Sequence, residues 1–432
     1  MPRTRSLTLA ARLSLSMTVV VALSNCSASD EPPTQNPVGS GGSGGRPEMG
    51  GSAGSVPDFD GAAGGGGVAG AGGGQVSDDA GPDSPAPTTD GSPTADARDG
   101  TTIVTPDASE GGVLDPSVVA VMRRVADWEL MQGDLNGFDW IHGAMWTGLF
   151  ATYQTTGDVK YRNAITAWGQ SHNWGLAGGG ADNQCAAQTY YDMYMLDRTN
   201  MAMLNGSKPA MDGMVNGGNA GWTWCDSLFM SPPGVTRLGA ITNDTKYFQF
   251  LHTNWWRAYG AMFSTANGLI YRDPPAGGPN NGNGVFWARG NGWVIAGTAR
   301  VLQYLPQSDA RRPEYVTMFT TMAAALKKWQ QPDGLWRADI THPNAIPNPE
   351  TSGTGFITFG MAWGINNGIL DRATYLPVVK VGWQGLVSHV DANGRLGYVQ
   401  GVGAAPAPAS ATSNAPYGVG AFLLAASEVA KL

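Results

Sequence analysis

The sequence predicts an all-α fold, an (α/α)6 barrel of six helical hairpins, carried behind a signal peptide and a disordered linker. Three observations predict it. A cue recurs along residues 113–432, made of an aspartate or similar cap, an aromatic or apolar residue, and often a tryptophan two or more turns later. Successive cues leave room for two helices each. Helices that open on the cue are polar on one side, whereas the helices that follow are apolar on most sides, as an outer and an inner ring require.

Residues 1–25 carry Arg3, Arg5 and Arg12 ahead of an apolar run too short for a stable membrane span, which is a signal-peptide pattern. The run ends at Leu23-Ser24-Asn25-Cys26, similar to a lipoprotein processing site. Two routes fit: lipidation of Cys26, leaving the protein anchored at the bacterial cell envelope, or ordinary cleavage near Ala28 and secretion. Residues 26–112 are rich in Gly, Ser, Pro, Ala and Asp and lack the aliphatic density that offsets backbone entropy, so they read as a disordered tether. The tether's acids, set against only Arg46 and Arg98, more than account for the net charge of −8. The folded part, 113–432, is therefore close to neutral. That excludes an electrostatic case for nucleic acid or an anionic membrane surface, and leaves a lipid at Cys26 as the expected membrane link.

In chain order the cue reads Asp115-Pro116 leading to Trp128, Asp158 with Tyr161 leading to Trp168, and a weaker copy at Asp197 to Met201. It continues as Asp244 with Tyr247 leading to Trp255, Pro313-Glu314-Tyr315 leading to Trp329, and Asp371 with Tyr375 leading to Trp383. Aspartate caps the free amides of a helix start, so each copy marks an outer-helix N-terminus. The stretches 291–301, 355–365 and 417–426 are rich in Gly, Ala and aliphatics and read as inner helices. In such a barrel all inner-helix starts open on one face. His142-Gly143, Asp182-Asn183-Gln184-Cys185, Trp224-Cys225-Asp226, Arg289-Gly290-Asn291, Glu350-Thr351-Ser352-Gly353 and Pro416-Tyr417-Gly418 are thereby expected at one mouth.

The chemistry at that mouth is chiefly carried by Phe286-Trp287-Ala288-Arg289-Gly290-Asn291-Gly292-Trp293. Arginine offers a planar pair of donors to a carboxylate and tryptophan a flat apolar face, a combination suited to a carboxylated sugar ring. Asp226 lies among indoles and apolar residues. A low local dielectric raises a carboxyl pKa, which suits a group that gives a proton and takes one back; the same residue also fits a helix cap. Asp182 fits three roles: tuning that carboxylate, holding a sugar hydroxyl, or capping. Trp224, Asn291 and His142 join the candidate binding surface by position, and Tyr271-Arg272-Asp273 reads either as a grip on substrate at the rim or as a surface ion pair. Glu350 reads as a capping acid. His172, His252, His342 and His389 fall on or beside outer helices as structural residues. No Cys/His spacing suits zinc, no acidic loop suits calcium, and no glycine loop suits a nucleotide phosphate, so neither metal nor cofactor is expected. Cys185 and Cys225 leave one disulfide open as a pairing.

The segments 224–233, 286–293 and 350–355 resemble the unsaturated rhamnogalacturonyl hydrolases, glycoside hydrolase family 105, which is related to the unsaturated glucuronyl hydrolases of family 88. The resemblance runs from about Ser117 to Leu432. It implies an (α/α)6 barrel and a metal-free hydrolase acting on the non-reducing 4,5-unsaturated uronic acid that a polysaccharide lyase leaves on pectin-like oligosaccharides. It further implies that Asp226 is the catalytic acid and base, that Asp182 is the second acidic residue, and that Arg289, Trp287 and Trp293 hold the uronate. Departures from the family pattern occur at Cys225, where alanine is frequent, and at Asn183, where a second aspartate is frequent. Tyr271-Arg272-Asp273 resembles one branch of the family, others having histidine at the position of Arg272. Two further readings of the mouth stay open: a surface glycan-binding lipoprotein without turnover, and a conventional inverting glycosidase pairing Asp226 with Glu350 or Asp182.

Overall fold

The computed structural model describes residues 113–278 and 284–432. The expected signal peptide and tether, 1–112, lie outside the described residues. The chain forms α1 (Pro116–Leu130), α2 (Trp140–Thr156), α3 (Val159–Ser171), α4 (Ala181–Gln184), α5 (Ala186–Leu196), α6 (Ala202–Asn205), α7 (Lys208–Gly217), α8 (Ser227–Met230) and α9 (Pro232–Thr242). It continues with α10 (Thr245–Met262), α11 (Ala288–Leu302), α12 (Arg312–Lys327), α13 (Thr351–Asn366), α14 (Arg372–Val387) and α15 (Pro416–Val429). After α10, β1 (Phe263–Ser264) pairs antiparallel with β2 (Leu269–Ile270). The inner helices close a ring: α2 packs on α5, α5 on α9, α9 and α8 on α11, α11 on α13, α13 on α15, and α15 back on α2. The outer elements α1, α3, α6 with α7, α10, α12 and α14 alternate with them along the chain, which gives the six hairpins.

The capping logic holds for four outer helices. The carboxylates of Asp115, Asp158, Asp244 and Asp371 accept from backbone amides of the first turns of α1, α3, α10 and α14. The aromatic residues of the cue are buried, Tyr161, Tyr247 and Tyr375 behind capped starts and Tyr315 in α12. Two copies differ. Asp197 accepts from Thr199 N at 3.1 Å within a loop instead of opening a helix, and the outer element that follows is split into α6 and α7, with proline in the first turn of α7. The start of α12 has no side-chain cap. The second and third inner helices are broken too, at Cys185 and at Ser231. The second break precedes Pro232-Pro233, which lack the N–H groups a continuous helix needs.

The inner ring is sealed where α2 crosses α15 at backbone distance. A Cβ at Gly420 would lie 2.3 Å from the Ala144 carbonyl oxygen, and one at Gly148 would lie 2.6 Å from the Gly420 oxygen. Within the ring sits one buried ionic knot. Asp192 of α5 accepts from Arg237 Nε of α9 at 2.7 Å, from Tyr304 Oη at 3.1 Å and from Arg300 Nη2 of α11 at 3.4 Å. Arg300 Nε also donates to Gln188 at 2.6 Å. No helix among the described residues is long and apolar enough to cross a membrane.

Candidate active site

The inner-helix starts meet through their side chains. Trp140 of α2 lies 5.0 Å from Tyr417 of α15, between ring centroids, and edge-on to Trp293 of α11 at 6.3 Å. Trp293 packs on Phe229 of α8 and Phe356 of α13 at 4.7 and 4.1 Å. Among the charged groups, Asp139 raises the pKa of Asp182, Asp182 also feels Asp226, and Asp226 feels Arg272 and Arg289.

Asp226 occupies the N-cap position of α8, yet its backbone is helical and its side chain makes no capping bond. Its carboxylate is left for other partners. Cys225 Sγ donates to Oδ2 at 3.1 Å, and Arg272 Nε lies 3.9 Å from the same oxygen. The segment is set in place by Cys225 N, which donates to the Arg272 carbonyl at 2.8 Å, and by the buried ring of Trp222. Only 14% of the Asp226 side chain is exposed. Burial outweighs the thiol bond and the two guanidinium charges, so the carboxyl titrates above its ordinary value. Asp182, in the first turn of α4, is pushed up to about 6 by burial and then by the negative charge of Asp226.

The stretch 286–293 turns inward further than its composition implies. Arg289 is completely buried. Nη1 donates to the Gln400 carbonyl at 2.9 Å, Nη2 to the Gly401 carbonyl at 3.0 Å, and the guanidinium lies 4.3 Å over the Trp287 ring. Nη1 and Nη2, the fork expected to clasp a uronate carboxylate, donate here to backbone oxygens, Nε is buried without a hydrogen-bond partner, and the charge acts on Asp226 as a field. Asn291 is engaged within the fold: its carboxamide accepts from Ile270 N at 2.9 Å and donates to Ile270 O at 3.0 Å, tying α11 to β2 from inside the core. Trp293 is fully buried and belongs to the aromatic packing rather than to an open wall. Trp287 is buried but faces the rim. Its Nε1 donates to Gln400 Oε1 at 2.9 Å, and its ring contributes to a cleft of about 470 Å³ bounded by the 271–276 segment, Val285 and the Ala404–Pro406 tip.

Arg272 lines that cleft and is the more accessible mouth cation, with a third of its side chain exposed. It pairs with Asp273, and its Nε has no hydrogen-bond partner. Trp224 is partly exposed beside Asp226. His142 is nearly buried, with Nε2 3.1 Å from the Asp134 carbonyl and Nδ1 3.8 Å from Asp139. Glu350 caps α13 through Ser352 N and Gly353 N at 2.9 and 2.7 Å, and also receives the Ser352 hydroxyl. Cys185 and Cys225 are both free and buried.

Three contributors escape the sequence reading. Asp139 and Trp140 form an acid and aromatic pair at the start of α2, two residues ahead of His142, a readable signal at a helix start. Gln400 has none, since it sits in a Gly-, Ala- and Pro-rich connection. Its backbone and side chain nonetheless join Trp287, Arg289, Glu350 and Tyr417.

The geometry can be set beside known proteins. The family model for Glycosyl Hydrolase Family 88 matches residues 116–432. Two proteins named unsaturated 3S-rhamnoglycuronyl hydrolase are similar to this chain. The one from Formosa agariphila is 33% identical over 75% of this chain and 93% of its own length. That from an Alteromonas species is 34% identical over 73% and 86%. Among solved structures, one described as a glycosyl hydrolase family 88 protein from Bacteroides vulgatus shares 32% identity over 73% of this chain and 98% of its own, with a TM-score of 0.68. Another, described as a polysaccharide lyase, shares 34% identity over 73% and 96%, also with a TM-score of 0.68. With the match spanning the whole described barrel, this chain belongs to Glycosyl Hydrolase Family 88 and is a glycoside hydrolase.

Proposed function

We propose that this hydrolase removes a non-reducing 4,5-unsaturated uronic acid from lyase-generated oligosaccharides by hydrating the C4=C5 double bond, with Asp226 as general acid and base. The observation that carries the reading is the state of Asp226: uncapped, mostly buried, raised in pKa, and flanked by an arginine whose Nε is unpartnered. A carboxyl whose pKa burial has raised keeps its proton to higher pH than an ordinary one, which suits a group that gives a proton and takes one back. Asp226 delivers its proton to C4 of the enol ether, charge develops at C5 and the ring oxygen, and the carboxylate then removes a proton from the water that adds its oxygen to C5. The resulting hemiketal opens and releases the neighbouring sugar. The substrate brings its own alkene, so one carboxyl serves both steps. That suits a mouth in which Glu350 is engaged as a helix cap, which speaks against a conventional pair of carboxylates using it.

Arg272 is the candidate partner for the uronate carboxylate, through the exposed edge of its guanidinium, with Trp224 and Trp287 beside the ring. Arg289 supports the site from behind as a fixed charge. For the sugar that follows we extend to this chain the rhamnose named in its relatives, within the pectin-like and related acidic glycans. Export belongs to the proposal and rests on residues 1–25 and Cys26. The purified protein is expected to bleach the near-ultraviolet absorbance of lyase-digested rhamnose-containing glycans. Asp226→Asn is expected to lower kcat by about 10²–10⁴-fold. Undiminished turnover by that variant would refute the assignment.

A further inference from the structure

Asp226 has a neighbour whose placement asks for an explanation. Cys225 is completely buried, and its sulfur sits in a notch in the first turn of α11: a Cβ on Gly290 would lie 2.8 Å from Sγ. The backbone amide of Cys225 donates to the Arg272 carbonyl at 2.8 Å, which fixes the main chain from which the thiol projects. From this seat Sγ reaches Asp226 Oδ2 at 3.1 Å, short for a sulfur donor. Arg272 Nε approaches the same oxygen at 3.9 Å, so among the described residues the side-chain contacts of the carboxyl, from Cys225 and Arg272, both fall on Oδ2. The two oxygens of the carboxyl are therefore inequivalent.

We propose that Cys225 is a positioning residue for Asp226: its thiol holds Oδ2 as an acceptor and leaves Oδ1 as the oxygen that carries the transferable proton to the substrate. The inference rests on the reading of Asp226 as acid and base. Burial and the adjacent carboxylate hold the Cys225 thiol well above its ordinary pKa, so the sulfur stays protonated and remains a donor. In the acid form Oδ1 bears the proton and Oδ2 accepts from sulfur. In the anion, after Oδ1 has given its proton to C4, the S–H···Oδ2 hydrogen bond strengthens because the acceptor is now charged. The water that adds to C5 returns its proton to Oδ1, and Sγ–H is unchanged across the cycle.

The sign of the pH effect follows. A donor to the charged form favours ionisation, so removing the thiol raises the pKa of Asp226. The other groups acting on this carboxyl are Arg272 after β2 and Arg289 of α11, which oppose that rise, and Asp182 of α4, which reinforces it. Asp139 acts on Asp182, and Asp273 acts on Cys225. All of them remain in a cysteine variant. Asp226 must be protonated to act, so the alkaline limb of kcat/KM in Cys225→Ala is expected to move up by roughly half to one pH unit, the scale of one weak bond to a charged acceptor. Cys225→Ser keeps a donor and is expected to hold the limb with the parent protein.

The experiment combines those pH profiles with the infrared S–H stretch, which needs no turnover. The band lost in Cys225→Ala is expected to be red-shifted from that of a free thiol, and to move when Asp226 is changed to Asn. An unmoved limb in Cys225→Ala beside an active parent overturns the inference, as does a Cys225 band at the free-thiol position or one indifferent to Asp226→Asn. Should the alanine variant fail to fold, the band and the serine profile decide. A parent protein that leaves unsaturated uronates intact refutes the hydration reading instead, while the infrared result still tests the thiol bond.

Discussion

Replacing Asp192 by asparagine tests what holds the inner ring together. The carboxylate is the shared anion for two guanidiniums, and all three side chains are at most 5% exposed. Burial and then the neighbouring charge of Arg237 already pull the Arg300 pKa down to about 10. Asparagine preserves volume and keeps one oxygen, so the change removes charge with little space. It leaves Arg237 and Arg300 as unpaired buried cations, and breaking a buried pair in this way costs about 3–5 kcal/mol. The 2.7 Å bond to Arg237 carries most of that, because the Arg300 contact at 3.4 Å is long and Arg300 keeps Gln188. Denaturant unfolding followed by tryptophan fluorescence reads the loss as a lower midpoint at an unchanged slope. A loss below about 1 kcal/mol, the range of exposed pairs, would refute the view that this knot is dry and mutually dependent.

Other outcomes are expected. Asp182→Asn removes the negative charge that Asp226 shares space with, so the Asp226 proton is released more easily and the alkaline limb of the rate profile falls to lower pH; a limb that stays in place would uncouple the two acids. Gly420→Ala drives a methyl into the Ala144 carbonyl at the α2–α15 crossing and is expected to cost about 1–3 kcal/mol or more in thermal unfolding. Glu350→Ala deletes a cap that accepts from two amides, costing about 0.5–2 kcal/mol. If Glu350 served as a second catalytic carboxylate, that variant would lose turnover far beyond its stability loss.

What was legible in the sequence was local or periodic. Asp115, Asp158, Asp244 and Asp371 cap helices within three residues, so a short window contains both donor and acceptor. The apolar ring follows from helices that are hydrophobic all round. The unusual segments at the inner-helix starts do converge, because an alternating barrel leaves them no other end. What the sequence did not show were distant partners. Arg289 reads as a ligand-binding fork until the carbonyls 111 and 112 residues later are known to fill it. Asn291 reads as a sugar contact, yet its partner is the backbone of a two-residue strand too short to show a period. The break at Ser231 is foreshadowed by Pro232-Pro233. That at Cys185 has no such marker.

The connection between α14 and α15 divides into a foundation and a tip. Around Gln400 it grips the starts of three inner helices, through Trp287 and Arg289, Glu350, and Tyr417. At Ala404 to Pro406 it walls the cleft, and the side-chain bond that reaches the tip among the described residues, from Gln400 to the Ala405 carbonyl at 2.8 Å, reads backbone and not residue type. Side chains at the tip can therefore change over generations without disturbing the acid at the centre. On the proposed reading of this cleft as the glycan's seat, the choice of glycan and the capacity for chemistry can be inherited separately.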